Sequence, residues 1–265
     1  MFVYSHPDPI ALSLGPLHVR WYGLMYLLGF LAGWLLARRR AQQPGSTWTA
    51  TQVDDLIFFC AVGVIAGGRL GWMLFYGTER IVAEPLSVFR IWEGGMSFHG
   101  GFIGVALALI LFARSRGKNM VDVFDFTMPL PAIGIGAGRI GNLINGELWG
   151  KPTDAPWAVV VDGVALHPSQ LYEAFLEGLV LFAILWWYTS KPRYRWAPTG
   201  LFMVCYGLFR FAVEFVRVPD ENRGYLLFDW LTMGQLLSLP MIVGGLGLLS
   251  FAYTRREPSG NYGAP

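Results

Sequence analysis

The chain alternates between apolar runs and short polar connections. Seven runs can be read, over about residues 17–37, 53–76, 97–113, 121–140, 170–189, 198–217 and 231–253. Each approaches the roughly 20 residues that a helix needs to cross a bilayer core. The pattern therefore predicts an all-α, polytopic membrane protein with seven transmembrane helices, forming one membrane-embedded domain over residues 1–265. The connections are of two alternating kinds. One kind is basic: Arg38, Arg39 and Arg40; Arg114, Arg116 and Lys118; Lys191, Arg193 and Arg195; Arg255 and Arg256. The other, at 77–96, 141–169 and 218–230, is richer in Trp, Pro and Gly, and only Arg20, Arg80, Arg90, Lys151, Arg217 and Arg223 lie in or beside it. Basic connections stay in the cytoplasm, so the N-terminus is expected outside and the C-terminus inside, as an odd number of crossings requires. The segment 141–169 contains Pro152, Pro156 and Pro168 and an apolar run, Trp157 to Val161, able to pair as a strand. It is expected to form a small periplasmic head. The polar tail from Glu257 to Pro265 is expected to be disordered, and no internal repeat is detectable.

Composition sharpens the same picture. Of the 265 residues 54% are hydrophobic and 14% charged, against about 25% charged in soluble domains. A net charge of +2 gives no pointer to nucleic acid. The N-terminus lacks the basic region and small-residue cleavage site of a removable leader, so the first run is expected to remain as an anchor. Cys60 and Cys205 each sit inside an apolar run, where a lone cysteine is usually a small packing residue rather than a disulfide partner or nucleophile.

Charges inside the apolar runs are the informative residues. An arginine at the centre of a membrane helix costs at least about 2.5–3.5 kcal/mol, so it normally faces protein or a wet cavity. Three occur: Arg69, Arg139 and Arg210. Nothing in the sequence assigns a role to Arg69. Arg139 lies near the outer end of the fourth run, within snorkelling reach of the headgroups; Arg210 lies mid-run. Tyr206, Arg210 and Glu214 are spaced by four and share a helix face. That spacing fits a pair that only neutralises two buried charges, and equally a guanidinium held by its carboxylate and aimed at an anionic headgroup.

The densest polar cluster is Gly138-Arg139-Ile140-Gly141-Asn142-Leu143-Ile144-Asn145-Gly146-Glu147-Leu148-Trp149-Gly150. A helix end unravelling into a polar loop explains its glycines. It does not explain an arginine, two amides and a carboxylate within nine residues, a set able to grip a phosphate and the hydroxyls of glycerol. A second cluster runs from Gly94 to Gly104 and places His99 between glycine pairs. A histidine there is commonly structural, yet it is the side chain best suited to take a thiol proton near neutral pH. His6 and His18 suggest nothing, and His167 with Ser169 as N-cap is expected to start the fifth helix. The glycines Gly63, Gly67 and Gly71, and Gly134 and Gly138, have the i,i+4 spacing that brings helices close in lipid. No His/Cys/Asp/Glu grouping has metal-ligand spacing.

Taken together, these motifs resemble the prolipoprotein diacylglyceryl transferase family. Gly138 to Gly150 is similar to the family signature almost position for position, and Gly95 to Gly101 resembles its histidine motif. Trp21 to Tyr26 resembles the first-helix motif, His167 to Glu173 the start of the fifth helix, and Tyr206-Gly207 through Arg210 and Glu214 to Arg217-Val218-Pro219-Asp220 the sixth. The resemblance spans about residues 9–253. Departures are Arg20, where some members have His, Leu166 before His167, where some have Arg, and a short connection after Gly150; they bear on the shape of the periplasmic head and on which precursors fit.

The resemblance implies seven helices in the bacterial inner membrane, with the same orientation as the charge pattern. It implies that phosphatidylglycerol donates its diacylglyceryl group to the lipobox cysteine of a prolipoprotein signal peptide, releasing glycerol 1-phosphate, with no cofactor. His99, Arg139 and Arg210 would be catalytic. Arg139, Asn142, Asn145, Glu147, Tyr22, Gly150, Tyr206 and Glu214 would contact or arrange the substrate. An alternative within the same chemistry makes Arg210 the activating group and His99 structural. A phospholipid transporter would more often show repeats, a scaffold would need no polar signature, and an intramembrane protease would need paired catalytic residues. Asp122 and Asp125 instead sit near a cytoplasmic helix start, where carboxylates favour the helix dipole.

Overall fold

The structure is a computed structural model and describes residues 2–15, 17–219, 224–226 and 230–262; Asp220 and Arg223, named above, lie outside the described residues. It is predominantly helical: α1 Trp21–Ala41, α2 Ala50–Phe75, α3 Thr78–Ala83, α4 Phe98–Ser115, α5 Met120–Thr127, α6 Leu130–Asn145, α7 Ser169–Tyr188, α8 Ala197–Val213 and α9 Met233–Arg255. Four of these, α2, α4, α7 and α9, are long and apolar enough to cross a membrane, and α5 with α6, bent by 43°, makes a fifth if counted as one span. Among the described residues five short strands accompany them: β1 Phe2–Val3, β2 Ile10–Leu14, β3 Leu17–Arg20, β4 Val159–Val161 and β5 Val164–Leu166.

Three boundaries differ from the hydropathy reading. The run expected from residue 17 begins as β3, because its backbone pairs antiparallel with β2; the helix starts only at Trp21. The run 121–140 is not one helix, because Pro129 and Pro131 remove backbone donors where α5 gives way to α6. The run 198–217 stops being helical at Val213; a turn over 214–216 follows, and Arg217 reaches its neighbours from a β-bridge with Gly150 rather than from a helix face.

The chain divides into two compact units, Met1–Leu36 with Asp125–Ser259, and Ala37–Phe124 with Gly260–Pro265. In the first, α6 meets α7 at Gly136 and Gly178; a Cβ on Gly178 would stand 2.8 Å from the Gly136 Cα, so only glycine permits this approach. Ala132, Leu181 and Leu185 form a buried core with Phe182, Leu201, Phe202, Cys205, Tyr206 and Phe209 packed on it. α9 starts with a capping box in which Thr232 and Gln235 exchange hydrogen bonds of 3.0 and 3.2 Å. The strand expected near Trp157–Val161 is β4, turned back into β5 by Asp162-Gly163, both at positive φ as a two-residue hairpin requires. The N-terminal strand β1 adds to it in parallel.

In the second unit, α2 packs on α4 through the glycine row foreseen in the sequence: Gly63, Gly67 and Gly71 face Gly100 and Gly104. Arg69, 2% exposed, faces no carboxylate among the described residues. It donates to the backbone carbonyls of Val88 (3.1 Å), Ser87 (2.6 Å), Gly94 and Gly95 (3.3 Å) and stacks on Trp72, so the chain that leads to α4 is organised around this guanidinium. The tail as far as Tyr262 is not loose as expected, while 263–265 lie outside the described residues. Asn261 accepts from Trp48 Nε1 at 2.8 Å and donates to the Asp122 carbonyl at 2.8 Å, while Gly260 N–H donates to the Asp122 carboxylate at 2.9 Å. Its polar groups replace water as partners of a buried indole, which composition alone could not reveal.

Candidate functional site

The last two turns of α6 carry Arg139 and Asn142 on one face, and the helix ends at Gly146 in the left-handed conformation (φ 70°). Beyond the cap the chain returns on itself. The amides of Asn142 and Asn145 both donate to Glu147 Oε1, at 2.8 and 3.2 Å. Gln170 Nε2 donates to the Glu147 carbonyl at 2.6 Å and Ser169 Oγ to the Leu148 carbonyl at 2.7 Å. Ser169 is thus a strut under this loop, not the N-cap the sequence suggested; Pro168 occupies that position. Tyr4 donates to the Leu143 and Ile144 carbonyls at 3.0 and 2.8 Å, closing the end of α6. Burial pushes the Tyr4 hydroxyl above its ordinary pKa, which keeps it a donor.

Gly141 is glycine because the Tyr22 ring lies against it; a Cβ there would stand 2.8 Å from Tyr22 Cδ2. The Tyr22 and Tyr26 hydroxyls are 3.3 Å apart. Gly150 N–H donates to the His167 carbonyl at 2.9 Å, and a Cβ at Gly150 would come within 2.6 Å of the Val216 carbonyl. Gly150 therefore seals a backbone seam, with Lys151 N–H donating to Val216 at 2.8 Å.

The charged centre brings together three elements. Arg139 comes from α6, Glu173 and Glu177 from α7, and Arg210 and Glu214 from α8 and its C-cap; Arg217 follows after a turn, bridged to Gly150. Arg139 lies 3.3 Å from Glu173 Oε2 and 3.5 Å from Glu177 Oε2. Arg210 bonds Glu173 and Glu214 and lies 4.0 Å from Glu177 Oε1. Arg217 reaches Glu173 Oε1 at 2.7 Å and Glu214 Oε1 at 3.2 Å, and Thr232 donates to Glu214 Oε2 at 2.6 Å. Arg139 pairs inward with Glu173 and Glu177. The Arg210–Glu214 pair foreseen from spacing is present, inside a larger network of three guanidiniums and three carboxylates. Tyr206 stacks on Phe202 one turn before Arg210.

Burial is uneven across this network. The side chains of Glu173 and Glu177 are 0% exposed and Arg217 9%, whereas Arg139 and Arg210 are 20% and 18% exposed. Carboxylates thus hold two guanidiniums from within while part of each stays accessible. The stretch Ala174–Val180 is π-helical, a local widening of the helix that is frequent at functional sites. Glu177 lies within it.

Glu173, Glu177, Arg217 and Gln170 were not picked out as site residues from sequence. The signal was available for two of them: Glu173 and Glu177 are four apart inside an apolar run, and buried arginines require counter-charges. His99 belongs to the other unit. It sits in the first turn of α4 behind Ser97, whose hydroxyl accepts from Gly100 N–H at 3.2 Å. Its ring is exposed, packs edge-on against Phe98 and has no hydrogen-bond partner among the described residues.

Several apolar helices mark a membrane protein, and a cluster of paired, partly exposed guanidiniums lies in its first unit. The comparisons make this specific. The family model of prolipoprotein diacylglyceryl transferase matches residues 9–251. A phosphatidylglycerol–prolipoprotein diacylglyceryl transferase of Solidesulfovibrio magneticus is 60% identical over 98% of this chain and 99% of its own length. Proteins of the same name from Oleidesulfovibrio alaskensis and Methylococcus capsulatus are 58% and 56% identical, over 95% and 97% of this chain and 96% and 100% of their own lengths. The chain belongs to the prolipoprotein diacylglyceryl transferase family and is a transferase of lipoprotein biosynthesis.

Proposed function

We propose that this chain transfers the sn-1,2-diacylglyceryl group of phosphatidylglycerol to the lipobox cysteine of prolipoprotein signal peptides, the first step of bacterial lipoprotein maturation. The observation that supports this most is the partial exposure of Arg139 and Arg210 beside the Asn142–Asn145–Glu147 group. The thiol sulfur attacks a glycerol carbon, a C–S bond forms, and the C–O bond breaks with its electron pair passing to the phosphate oxygen. Glycerol 1-phosphate leaves, and the thiol proton passes to a base. Charge accumulates on the phosphate as that bond breaks, so fixed guanidiniums stabilise the transition state more than the ground state.

In this reading Arg139 grips the phosphate and Arg210 is a second clamp, oriented by Glu214. Asn142 and Asn145, held by Glu147, meet the glycerol headgroup; Tyr22 contacts it, and Gly150 and Tyr206 shape the surroundings. His99 takes or orients the thiol proton. The membrane and its lipids surround a single catalytic domain of residues 1–265 with seven crossings of the inner membrane, N-terminus periplasmic and C-terminus cytoplasmic. α1, the bent α5–α6 pair and α8 count among the seven; at 17 residues α8 reaches about 26 Å, the short end of what a span needs. The segment 141–169 is the periplasmic head.

The test uses purified protein in detergent with phosphatidylglycerol and a synthetic lipobox peptide, following glycerol phosphate release and peptide mass. A thioether-linked diacylglyceryl group on the cysteine, lost in Arg139→Ala, is the expected result. No transfer by folded protein that still binds the lipid would overturn the reading.

A further inference from the structure

Among the described residues six charged side chains meet at the centre of the first unit; Arg210, Arg217, Glu173 and Glu214 are joined by hydrogen bonds, and Arg139 lies 3.3 Å from Glu173. Glu177 is different. Both of its oxygens are buried and neither has a hydrogen-bond partner among the described residues. Its nearest cations stand at 3.5 Å (Arg139) and 4.0 Å (Arg210), whereas Glu173 and Glu214 are gripped directly by Arg210 and Arg217. The two cations that face Glu177 are also the two that are partly exposed. The π-helical stretch that carries it presses against α6 through Gly178 and Gly136, which fixes the carboxyl in place behind both guanidiniums.

Charge counting gives this arrangement a consequence. Arg139, Arg210 and Arg217 against Glu173, Glu177 and Glu214 leave the cluster neutral when all are ionised. A neutral cluster offers a phosphodiester anion little net attraction, because each guanidinium is already matched. Expelling a carboxylate is barred by full burial. Protonating one is not, and the carboxylate held by no donor is the one that loses least by accepting a proton. The groups facing it are Arg139 from α6, Arg210 and Tyr206 from α8, Arg217 beyond α8 and Glu173 on its own helix. Of these the arginines stay charged, and Glu173 is pinned by Arg210 and Arg217 at once.

We propose that Glu177 is a positioning residue that takes up one proton as the anionic headgroup binds, turning the neutral cluster into a net cation matched to a phosphodiester. A proton from bulk water joins one Glu177 oxygen, an O–H bond forms, and no other covalent bond changes. On release of the phospho-product the proton leaves and the cluster returns to neutrality. This rests on the transferase reading above, in so far as the anion is the phosphate of phosphatidylglycerol.

Equilibrium binding tests it without turnover: purified full chain in detergent micelles, short-chain phosphatidylglycerol as ligand and phosphatidylcholine as control, from about pH 5 to about pH 9. The phosphodiester does not titrate in this range, so any slope belongs to the protein. Uptake of one proton makes affinity fall as pH rises, approaching roughly tenfold per unit between the free and bound pKa values. Glu177→Gln, neutral at every pH, is expected to hold the low-pH affinity with the slope gone, and Glu177→Asp to retain a slope. The same slope in Glu177→Gln, or affinity lost at every pH in a variant with unchanged melting temperature, overturns the proposal. Absence of phosphatidylglycerol binding by the wild type would instead strike at the substrate reading.

Discussion

Glu173 Oε1 is shared by two guanidiniums, Arg217 at 2.7 Å and Arg210 on its other side, and its second oxygen faces Arg139 at 3.3 Å. One fully buried carboxylate therefore orders all three arginines. Removing it leaves three cations without their common partner, and breaking a buried ion pair costs about 3–5 kcal/mol. Glu173→Ala is expected to lower stability by at least that much in chemical denaturation and to abolish transfer. Arg217→Ala should show the same stability loss, since Arg217 is the most buried of the three. A normal melting curve for either would mean that the network rearranges at little cost.

Arg139 is expected to behave differently, because a fifth of its side chain is exposed and Glu173 keeps Arg210 and Arg217 as partners. Arg139→Ala should reduce turnover by roughly 10²–10³-fold with a smaller stability loss than Glu173→Ala. Arg139→Lys should recover little, because a point charge does not reproduce a planar fork. Transfer rates and thermal melts on the same preparations decide it; full activity in the lysine variant would exclude a bidentate grip.

These contrasts trace what was readable in the chain. Arg139 and Arg210 announced themselves as charges in apolar runs, and the four-residue spacing of Arg210 and Glu214 predicted their pairing. Glu173 and Glu177 have the same spacing, but Glu173 sits in a segment legible as a helix start, and the π-helical widening around Glu177 has no local sequence pattern. Arg217 was counted with the outer connections because its run looked helical to residue 217; the turn after Val213 is what carries it inward. β3 was hidden because apolar residues alternate with His18 and Arg20 too briefly to separate a strand from the helix it feeds.

His99 has no hydrogen-bond partner among the described residues to fix a structural role, and its ring is exposed at the start of α4. His99→Gln is expected to lower turnover by roughly 10²–10⁴-fold while phosphatidylglycerol binding and the melting temperature persist. Full turnover would exclude His99 as the essential base and shift thiol activation to Arg210.

The α2–α4 contact has no room for a side chain at its centre: a Cβ on Gly67 would stand 2.7 Å from the Gly104 Cα. The obstacle is backbone, so no rotamer change relieves it. Gly67→Val should destabilise the protein by about 1–3 kcal/mol or more and reduce the folded yield from membranes. Near-normal yield and melting would mean that the helices slide apart freely.

The docked tail makes the last prediction. Trp48 is 4% exposed and stacks on Phe112, and its indole N–H has Asn261 Oδ1 as its partner at 2.8 Å. Lys118 lies over the same ring at 4.3 Å and donates to the Thr47 carbonyl at 3.3 Å; burial lowers its ammonium from the ordinary pKa, with Asp122 opposing the shift. Asn261→Ala removes the acceptor of the Trp48 indole N–H and the donor to the Asp122 carbonyl, at about 1–3 kcal/mol for buried groups that lose a hydrogen bond. Truncation after Arg256 should cost at least as much, because it also removes the Gly260 N–H from Asp122 and the Gly260 carbonyl from Thr47. Transfer measured well below the melting temperature should be unchanged, since no group placed in the transfer chemistry is altered. Melting curves and protease sensitivity of the full-length and truncated chains check it: an unchanged melting temperature on truncation would mean that the tail rests on the protein without stabilising it.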